Sequence, residues 1–391
     1  MLTRSFILIL SVALVLCGIL GLGRRAEAEL VDDNTPIPAP GQPGSPMPGL
    51  SSAELDQWIR GRRVFDRDVH LEDGLGTPEY NGDSCRACHQ DPAIGGAGNL
   101  DVNVFRFGND NGGMGPFTNL PGGQVASKFR RPDFPGREDH DPAADVFEQR
   151  NPPSILGLGL VETISDADIL ANEDPLDLNG DGIRGVARMV DVGGGVMEVG
   201  RFGWKAFAPT LADFAHDAGT GELGLTFSDT SRGFGAQTDN DGIPDPEFDD
   251  GDLEDMIFFM RNLAPPQRKG STNPLVALGE QIFSQIGCDL CHKPTMPGSG
   301  GPVPLYSDLL LHDIWPASFR GMAEPGADVG LYRTPPLWGI AETAPYMHDG
   351  RAETLTDAIL LHDDEALAVR QAYEALTTGD REALLLFLKD L

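Results

Sequence analysis

Cys85-Arg86-Ala87-Cys88-His89 is the first of two Cys-x-x-Cys-His segments in this chain, and Cys288-Asp289-Leu290-Cys291-His292 is the second. This motif is typical of c-type haem attachment, in which two thiols add to the vinyl groups of the haem and the adjacent imidazole ligates the iron. Two copies therefore predict two covalently attached haem c groups. One group would be held by Cys85, Cys88 and His89, and the other by Cys288, Cys291 and His292.

Two Cys-x-x-Cys pairs could instead close a tetrahedral zinc site. Zinc ribbons place their pairs about 15–20 residues apart, whereas these pairs lie in different halves of the chain and each is followed by a histidine. The spacing therefore favours haem. The fifth cysteine, Cys17, lies in an apolar N-terminal segment, so the mature chain would have no cysteine left for a disulfide or a nucleophilic thiol.

The composition limits the size and the partners of the protein. Its 391 residues are enough for two globular domains. The net charge of −31 argues against nucleic acid or an anionic membrane surface as a partner, and favours basic or neutral proteins. The 49 glycines and 31 prolines indicate long irregular connections between helices.

An apolar run over residues 6–23 precedes Ala26-Glu27-Ala28, which has the form of a signal-peptide cleavage site. We therefore expect residues 1–28 to be a signal peptide and the mature protein to be periplasmic, in agreement with haem attachment outside the cytoplasm. The run is nearly long enough to span a bilayer, so an uncleaved membrane anchor is the alternative. Six prolines in residues 29–50 predict a poorly ordered linker.

The order helix, haem motif, loops and helices occurs twice, and it is the plan of a class I cytochrome c domain. We therefore predict a mainly α protein with two class I cytochrome c-like haem domains and long loop-rich insertions. Residues 51–266 would form the N-terminal haem domain with its long insertion, and residues 267–391 the C-terminal domain. Residues 93–150 lack sustained periodicity, and we expect them to form a loop wrapped around the haem.

Two acidic turns have the composition of calcium loops. Asp177-Leu178-Asn179-Gly180-Asp181-Gly182 matches the first half of an EF-hand loop, although Arg188 stands at its twelfth position. A second turn runs from Asp239 to Asp245. Clusters of Asp, Asn and Gly are also common in ordinary turns, so both interpretations stay open.

Each haem iron needs a sixth ligand or an open position, and this choice separates electron transfer from chemistry on a small oxidant. From spacing alone, any one of the remaining candidates is more often structural than a ligand. The candidates are His70, His140, His216, His312, His348, His362, Met260, Met296, Met322 and Met347.

The segments 332–340 and 343–355, which read Tyr-Arg-Thr-Pro-Pro-Leu-Trp-Gly-Ile and Thr-Ala-Pro-Tyr-Met-His-Asp-Gly-Arg-Ala-Glu-Thr-Leu, carry a family resemblance. They resemble the C-terminal haem domain of the bacterial di-haem cytochrome c peroxidase and MauG superfamily, in particular its di-haem oxidoreductase branch, also called thiol-oxidoreductase-like. Residues 200–206, 307–313 and 357–362 resemble that branch too. The similarity covers most of residues 55–391.

The resemblance implies ligands around the second haem. His362 stands where the family has the sixth iron ligand, opposite His292, so this haem would be a low-spin electron-transfer group. The family also holds a calcium ion between the haems, which implies ligands from Thr343 and Pro345. An asparagine of the N-terminal half would join them, and Asn119 is our expectation.

At the first haem, the resemblance implies an open iron position above His89. Gln149 and Pro153 match the spacing of the family's distal segment, and Glu162 lies three residues late. We nevertheless expect Glu162 to be the acid–base group; the alternative is that Glu162 only caps the helix that begins near Ser165. His140 and His216 are further alternatives for the distal residue. The family's bridging tryptophan has no counterpart between Trp58 and Trp204.

The resemblance implies an enzyme that reduces hydrogen peroxide or a similar small oxidant at the N-terminal haem, with His89, Glu162 and Gln149 at the site. The C-terminal haem would relay electrons from a small redox protein. Two other functions remain open. One is electron transfer without catalysis, and the other is MauG-like oxidation of another protein.

Overall fold

The computed structural model describes residues 31, 35–120, 125–134, 140–239 and 241–391. The predicted signal peptide and the first residues of the linker lie outside these ranges. Nine α-helices occur in the described part: α1 Ser52–Asp66, α2 Leu158–Val161, α3 Asp166–Leu170, α4 Leu211–Ala218, α5 Asp250–Arg261, α6 Pro274–Gln285, α7 Leu355–Leu360, α8 Leu367–Ala375 and α9 Thr378–Leu388. None of these helices is long and apolar enough to cross a membrane.

The strands are short and all of their pairings are antiparallel. They are β1 Glu79–Tyr80, β2 Val104–Gly108, β3 Val125–Ala126, β4 Phe129–Arg130, β5 Val146–Arg150, β6 Met189–Asp191, β7 Met197–Val199, β8 Met296–Gly298, β9 Gly301–Val303, β10 Leu311–Asp313 and β11 Leu331–Arg333. The largest sheet has the order β3-β2-β5, and the other sheets are two-stranded: β1-β4, β6-β7, β8-β9 and β10-β11. Many helices and few short strands agree with a mainly α fold. The segment 93–150 is not the plain loop that we predicted, because it supplies the three-stranded sheet.

The same helix crossing occurs twice. At Gly61 on α1, a Cβ atom would lie 1.9 Å from the carbonyl oxygen of Asp255 on α5. At Gly279 on α6, a Cβ atom would lie 2.0 Å from the carbonyl oxygen of Ala383 on α9. Only glycine permits such a close approach of two helix backbones. Each crossing is formed by the helix that leads into one Cys-x-x-Cys-His motif and by a helix from well beyond it.

Aromatic rings pack across both crossings in equivalent positions. Phe65 lies four residues after Gly61 and contacts Phe259 with 5.3 Å between ring centroids. Phe283 lies four residues after Gly279 and contacts Phe387 at 5.4 Å. The two halves therefore contain equivalent packing, which periodicity alone did not reveal.

We expect Gly279→Ala to destabilise the protein. Alanine favours a helix by about 1 kcal/mol over glycine, but its methyl group would have to displace the backbone of α9, and overpacking of this kind costs about 1–3 kcal/mol. Urea unfolding followed by circular dichroism measures the change. Gly300→Ala is the matched control, because a Cβ atom there meets nothing within 4 Å. Equal stability of the two variants would contradict the prediction.

Residues 36–391 form one compact unit with two large hydrophobic clusters. One cluster combines α1, α4 and α5 with residues 296–310, and the other is built from residues 276–391 alone. The boundary at 266 and 267 stays a prediction. Residues 36–50, which belong to the segment predicted to be a poorly ordered linker, pack against the rest of the chain. Ser45 is fully buried and its carbonyl accepts a hydrogen bond from the Ala264 amide at 2.9 Å, while the Met47 amide donates to Asn262 O at 2.8 Å.

Candidate functional site

The two motif histidines have equivalent surroundings. His89 Nδ1 lies 3.2 Å from Gly96 O, and His292 Nδ1 lies 3.0 Å from Tyr306 O. Phe65 and Phe283 each lie 6.4 Å from the adjacent imidazole, measured between ring centroids. An Nδ1–H that donates to a carbonyl leaves the Nε2 lone pair free, which is the usual arrangement of a metal-ligating histidine. Burial lowers the pKa of both imidazoles, so both stay neutral and able to ligate.

The motif cysteines form neither a disulfide nor a four-thiol site. All four are free and partly buried, and burial raises the pKa of Cys85 and Cys288 to about 12. Among the described residues, Cys291 is the one cysteine that joins a cluster of ligand-type side chains, with Asp308 and His312. The zinc alternative is therefore wrong, because the two Cys-x-x-Cys pairs do not come together.

One internal cavity reaches both motif histidines. It contains about 2110 Å³ of empty space, part of which is open to solvent, and its wall includes His89, Cys288, Cys291, His292 and His362. Most of the remaining wall is aromatic or aliphatic, as cofactor sites usually are. Neutral imidazoles on the wall and thiols at its edge fit a covalently bound haem better than a polar cofactor. The chemistry of these residues therefore agrees with the haem prediction.

His362 lies on the cavity wall just after α7. Its Nδ1 is 2.8 Å from Ala358 O, so its Nε2 is also free to ligate. Burial, followed by the neighbouring His362 imidazole, lowers the pKa of His292 to about 4. The structure thus brings His292 and His362 together. Among the described residues, no second imidazole contributes to the lowered pKa of His89.

Glu162 does not reach the cavity. Its carboxylate accepts hydrogen bonds from Arg261 Nε at 2.6 Å and from the Leu211 amide at 2.7 Å. Glu162 is not among the described residues that line the cavity, and neither is Arg261, the arginine that binds its carboxylate. The structure therefore does not support Glu162 as the distal acid–base group. Glu162 is not the helix cap of the alternative either, because the Ser165 side chain caps α3 by accepting from the Asp168 amide.

Gln149, His140 and His216 also lie away from this cavity. Gln149 is exposed on β5, accepts a hydrogen bond from Asn103 Nδ2 at 3.0 Å, and lines a separate polar pocket. His140 is exposed and packs against the edge of Phe147 at 5.0 Å. His216 Nδ1 bonds to the carbonyl of its own helix and its ring packs on a phenylalanine. None of the three is among the described residues on the cavity wall.

His348 and Trp204 are also wall residues; from the sequence, His348 is only one of ten candidate iron ligands and Trp204 has no assigned role. His348 is 3% exposed, and neither ring nitrogen has a hydrogen-bond partner. It lines both the cavity and the polar pocket, and stacks on Tyr332 with 4.2 Å between centroids. Trp204 Nε1 donates to Asn151 O at 2.7 Å, and its ring meets His348 edge-on at 6.5 Å. The only signal in the sequence was their position inside the family segments.

His312 lies between two buried carboxylates beside the second motif. Its Nε2 is 2.9 Å from Asp308 and its Nδ1 is 3.1 Å from Glu365, while Cys291 Sγ lies 3.7 Å away. Burial lowers the pKa of His312, but the hydrogen bonds to these groups outweigh it and raise the pKa well above its ordinary value. Both ring nitrogens are therefore engaged by carboxylates, which favours the imidazolium form over a ligand of a haem iron.

We expect His312→Gln to destabilise the protein by about 3–5 kcal/mol, because it leaves two carboxylates buried without their counter-charge. The loss should depend on pH. Since the folded state raises the pKa, the imidazolium contributes its full stabilisation below the ordinary value of 6.5, and the contribution disappears as the pH rises through the folded-state pKa. Urea unfolding at several pH values measures this. The exposed His70→Gln variant is the control, and a pH-independent difference between the variants would contradict the prediction.

Of the three predicted calcium ligands between the haems, two line the cavity and the third does not. Thr343 and Pro345 lie on the cavity wall, whereas Asn119 is exposed. Asn103 is the asparagine that meets this segment: it is fully buried, donates from Nδ2 to Asp349 O at 3.0 Å, and accepts at Oδ1 from Asn151 Nδ2 at 2.9 Å. Sequence spacing did not indicate Asn103. Calcium between the haems stays a prediction.

The two acidic turns differ from each other. In the first, Asp177 and Asp181 accept hydrogen bonds from amides of their own turn, and the surrounding residues are exposed. In the second, Asp239, Asp241 and Glu247 bring ligand-type oxygens close together, but Asp241 already pairs with an arginine. The first loop therefore has the geometry of an ordinary turn.

A buried ion network lies behind the cavity wall. Glu324 accepts from Arg106 and Arg150 at Oε1, at 2.7 and 2.6 Å, and from Arg188 at Oε2 at 2.6 Å. Arg150 also donates to Glu148 Oε1 at 2.6 Å. Burial raises the pKa of Glu324, but the three arginines outweigh it and hold the pKa far below its usual range. One carboxylate thus connects β2, β5 and the segment before β6.

Comparison with solved structures finds matches at low similarity. A MauG-like protein associated with microbial copper homeostasis is 17% identical, with 88% of this chain and 92% of that chain covered and a TM-score of 0.44. The diheme peroxidase BthA from Burkholderia thailandensis is 16% identical, with 86% of each chain covered and a TM-score of 0.42. No curated protein matches this chain.

A family model gives the more direct comparison. The model described as "Di-haem oxidoreductase, putative peroxidase" matches residues 143–391, which is more than half of the chain. This range contains the second Cys-x-x-Cys-His motif, His362 and the family segments around residues 332–355. The match confirms the resemblance that these segments carried. The chain therefore belongs to the di-haem oxidoreductase and peroxidase family, and is an enzyme of that class.

Proposed function

We propose that this protein is a periplasmic di-haem c-type oxidoreductase that reduces hydrogen peroxide at its N-terminal haem, with electrons relayed through the C-terminal haem. Cys85, Cys88 and His89 hold the first haem, and Cys288, Cys291, His292 and His362 hold the second. A haem iron with a free coordination position supplies the electrons for cleavage of the peroxide O–O bond. The neutral imidazoles and the largely apolar cavity wall are what the chain itself contributes to this site.

The asymmetry between the two motif histidines carries the proposal. His292 and His362 are close enough for one imidazole to lower the pKa of the other, and each has its Nδ1 engaged by a carbonyl. Among the described residues, His89 has no such imidazole neighbour. Two imidazoles at one iron favour electron transfer, and an iron with one imidazole keeps room for an oxidant.

The duplicated helix crossing supports two class I cytochrome c-like haem units. In each half, a glycine-mediated crossing and one phenylalanine position the motif histidine. The net charge of −31 favours a small basic redox protein as the electron donor. Calcium bound by Thr343 and Pro345 would lie beside the cavity that both motif histidines line.

The spectrum of the purified full-length protein tests the proposal. The pyridine haemochrome assay should find two haems per chain, and the ferric EPR spectrum should contain one high-spin and one low-spin signal. Hydrogen peroxide should remove the high-spin signal and be consumed. Two low-spin signals and no reaction with peroxide would contradict the proposal and indicate an electron-transfer cytochrome.

A further inference from the structure

We propose that Tyr332 is a redox-active residue that gives one electron to the site and passes its phenolic proton to Glu148. The inference rests on the proposed function, because the oxidant is a haem that peroxide has oxidised. Tyr332 would thereby store an oxidising equivalent on the protein as a neutral tyrosyl radical. A small redox protein would later return the electron.

Tyr332 lies in the position that this role requires. It is on β11, is 6% exposed, and its ring forms part of the wall of the cavity that contains the motif histidines. Its hydroxyl donates to Glu148 Oε2 at 2.9 Å. Its ring stacks on His348 at 4.2 Å with 23° between the planes. The Tyr332 ring therefore lies at the cavity, and its hydroxyl proton lies next to the Glu148 carboxylate.

Glu148 is suited to receive the proton. Its other oxygen accepts from Arg150 Nε at 2.6 Å, so Arg150 keeps the carboxylate ionised and ready to accept. Glu148 also lines the polar pocket that contains Gln149 and Arg351. A proton taken up by Glu148 therefore has a polar route away from the cavity.

Lys205 lies against the Tyr332 ring and favours loss of the phenolic proton. Its Nζ lies 4.1 Å from the centroid of the Tyr332 ring and donates to three backbone carbonyls, those of Asp328, Val329 and Leu331. Burial lowers the pKa of Lys205 to about 7, but three carbonyl acceptors favour its ammonium form. A positive charge on the ring beside this ammonium is unfavourable. Transfer of the phenolic proton to Glu148 avoids that charge.

The step is balanced. The phenol O–H bond breaks, the proton forms an O–H bond with the Glu148 carboxylate, and the electron goes to the haem that peroxide has oxidised. Hydrogen peroxide takes up two electrons and two protons to give two molecules of water. Tyr332 supplies one of these electrons, and the other comes from the haem system.

Freeze-quenched EPR of the full-length holoprotein after one equivalent of hydrogen peroxide tests the inference. We expect a tyrosyl signal that narrows when the protein carries ring-deuterated tyrosine. The signal should be lost in Tyr332→Phe, which removes only the hydroxyl group. It should also be lost in Glu148→Gln, which keeps a hydrogen-bond acceptor but cannot take the proton.

Two tyrosines provide matched controls. Tyr346 lines the same cavity, but its hydroxyl donates to Ile340 O at 3.0 Å, and a carbonyl cannot take up a proton. Tyr306 donates to the carboxylate of Glu280 at 3.1 Å but is not among the described residues on the cavity wall. Tyr346→Phe and Tyr306→Phe should both keep the signal. Loss of the signal in either control, with retention in Tyr332→Phe, would overturn the inference.

The failure of this inference differs from the failure of the proposed function. If peroxide removes the high-spin haem signal and no tyrosyl signal forms, Tyr332 is not redox-active and the proposed function stands. If peroxide leaves the high-spin signal unchanged, both are wrong, because Tyr332 then has no oxidant.

Discussion

Replacement of His362 by alanine is expected to convert the C-terminal haem from low-spin to high-spin. His362 Nε2 is the group that the proposal assigns to the iron opposite His292, and the alanine side chain offers no ligand atom in its place. The low-spin EPR signal should disappear completely and a second high-spin signal should replace it. Optical spectra of the ferric protein should change in parallel, while the pyridine haemochrome assay still finds two haems, since the thioether bonds are untouched.

His216→Ala is a close structural control for this variant. His216 and His362 each bond from Nδ1 to the carbonyl four residues earlier, at 2.9 Å and 2.8 Å. Only His362 lies on the cavity wall, so only its loss should change the spin state. A low-spin signal that survives in His362→Ala would show that another residue ligates the second iron.

Glu324→Gln is expected to cause the largest loss of stability in the chain. The amide cannot balance Arg106, Arg150 and Arg188, so three buried guanidinium groups lose their shared anion. Breaking a single buried pair costs about 3–5 kcal/mol, and this variant should lose at least that much. Urea unfolding measures the loss, and yields of soluble holoprotein should fall with it.

The stabilisation that Glu324 contributes to the folded state should also decrease at acidic pH. Its pKa is lowered in the folded state, so its stabilisation is fully present above the ordinary value of 4.5 and is lost as the pH falls through the folded-state pKa. Glu382→Gln on the exposed side of α9 is the control and should change stability by less than about 0.5 kcal/mol. Equal stability of the two variants at neutral pH would mean that the arginines find other partners.

The chemistry of the haem motifs was predictable from sequence because it is local. The two thiols and the imidazole of each motif lie within five residues, so the spacing by itself keeps them close enough to hold one haem, as the proposal requires. The family segments added His362, Thr343 and Pro345, and all three lie on the cavity wall. The mainly α character followed from periodicity in the same way.

Other assignments failed because their partners are distant in sequence. Glu162 was a reasonable acid–base group until Arg261 and the Leu211 amide were seen to occupy its carboxylate. Asn119 was chosen by type, whereas Asn103 is the asparagine that packs against the loop after Pro345. Neither of these long-range contacts can be inferred from the spacing of nearby residues.

The sequence by itself determined that the chain carries two Cys-x-x-Cys-His motifs and which histidine belongs to each, because a five-residue motif constrains its own geometry. Only the tertiary structure decided which further groups meet at the cavity. Tyr332 and Glu148 are 184 residues apart, and Glu324 is 174 residues from Arg150. Contacts over such separations arise from the packing of whole helices and sheets, and local propensity carries no information about them.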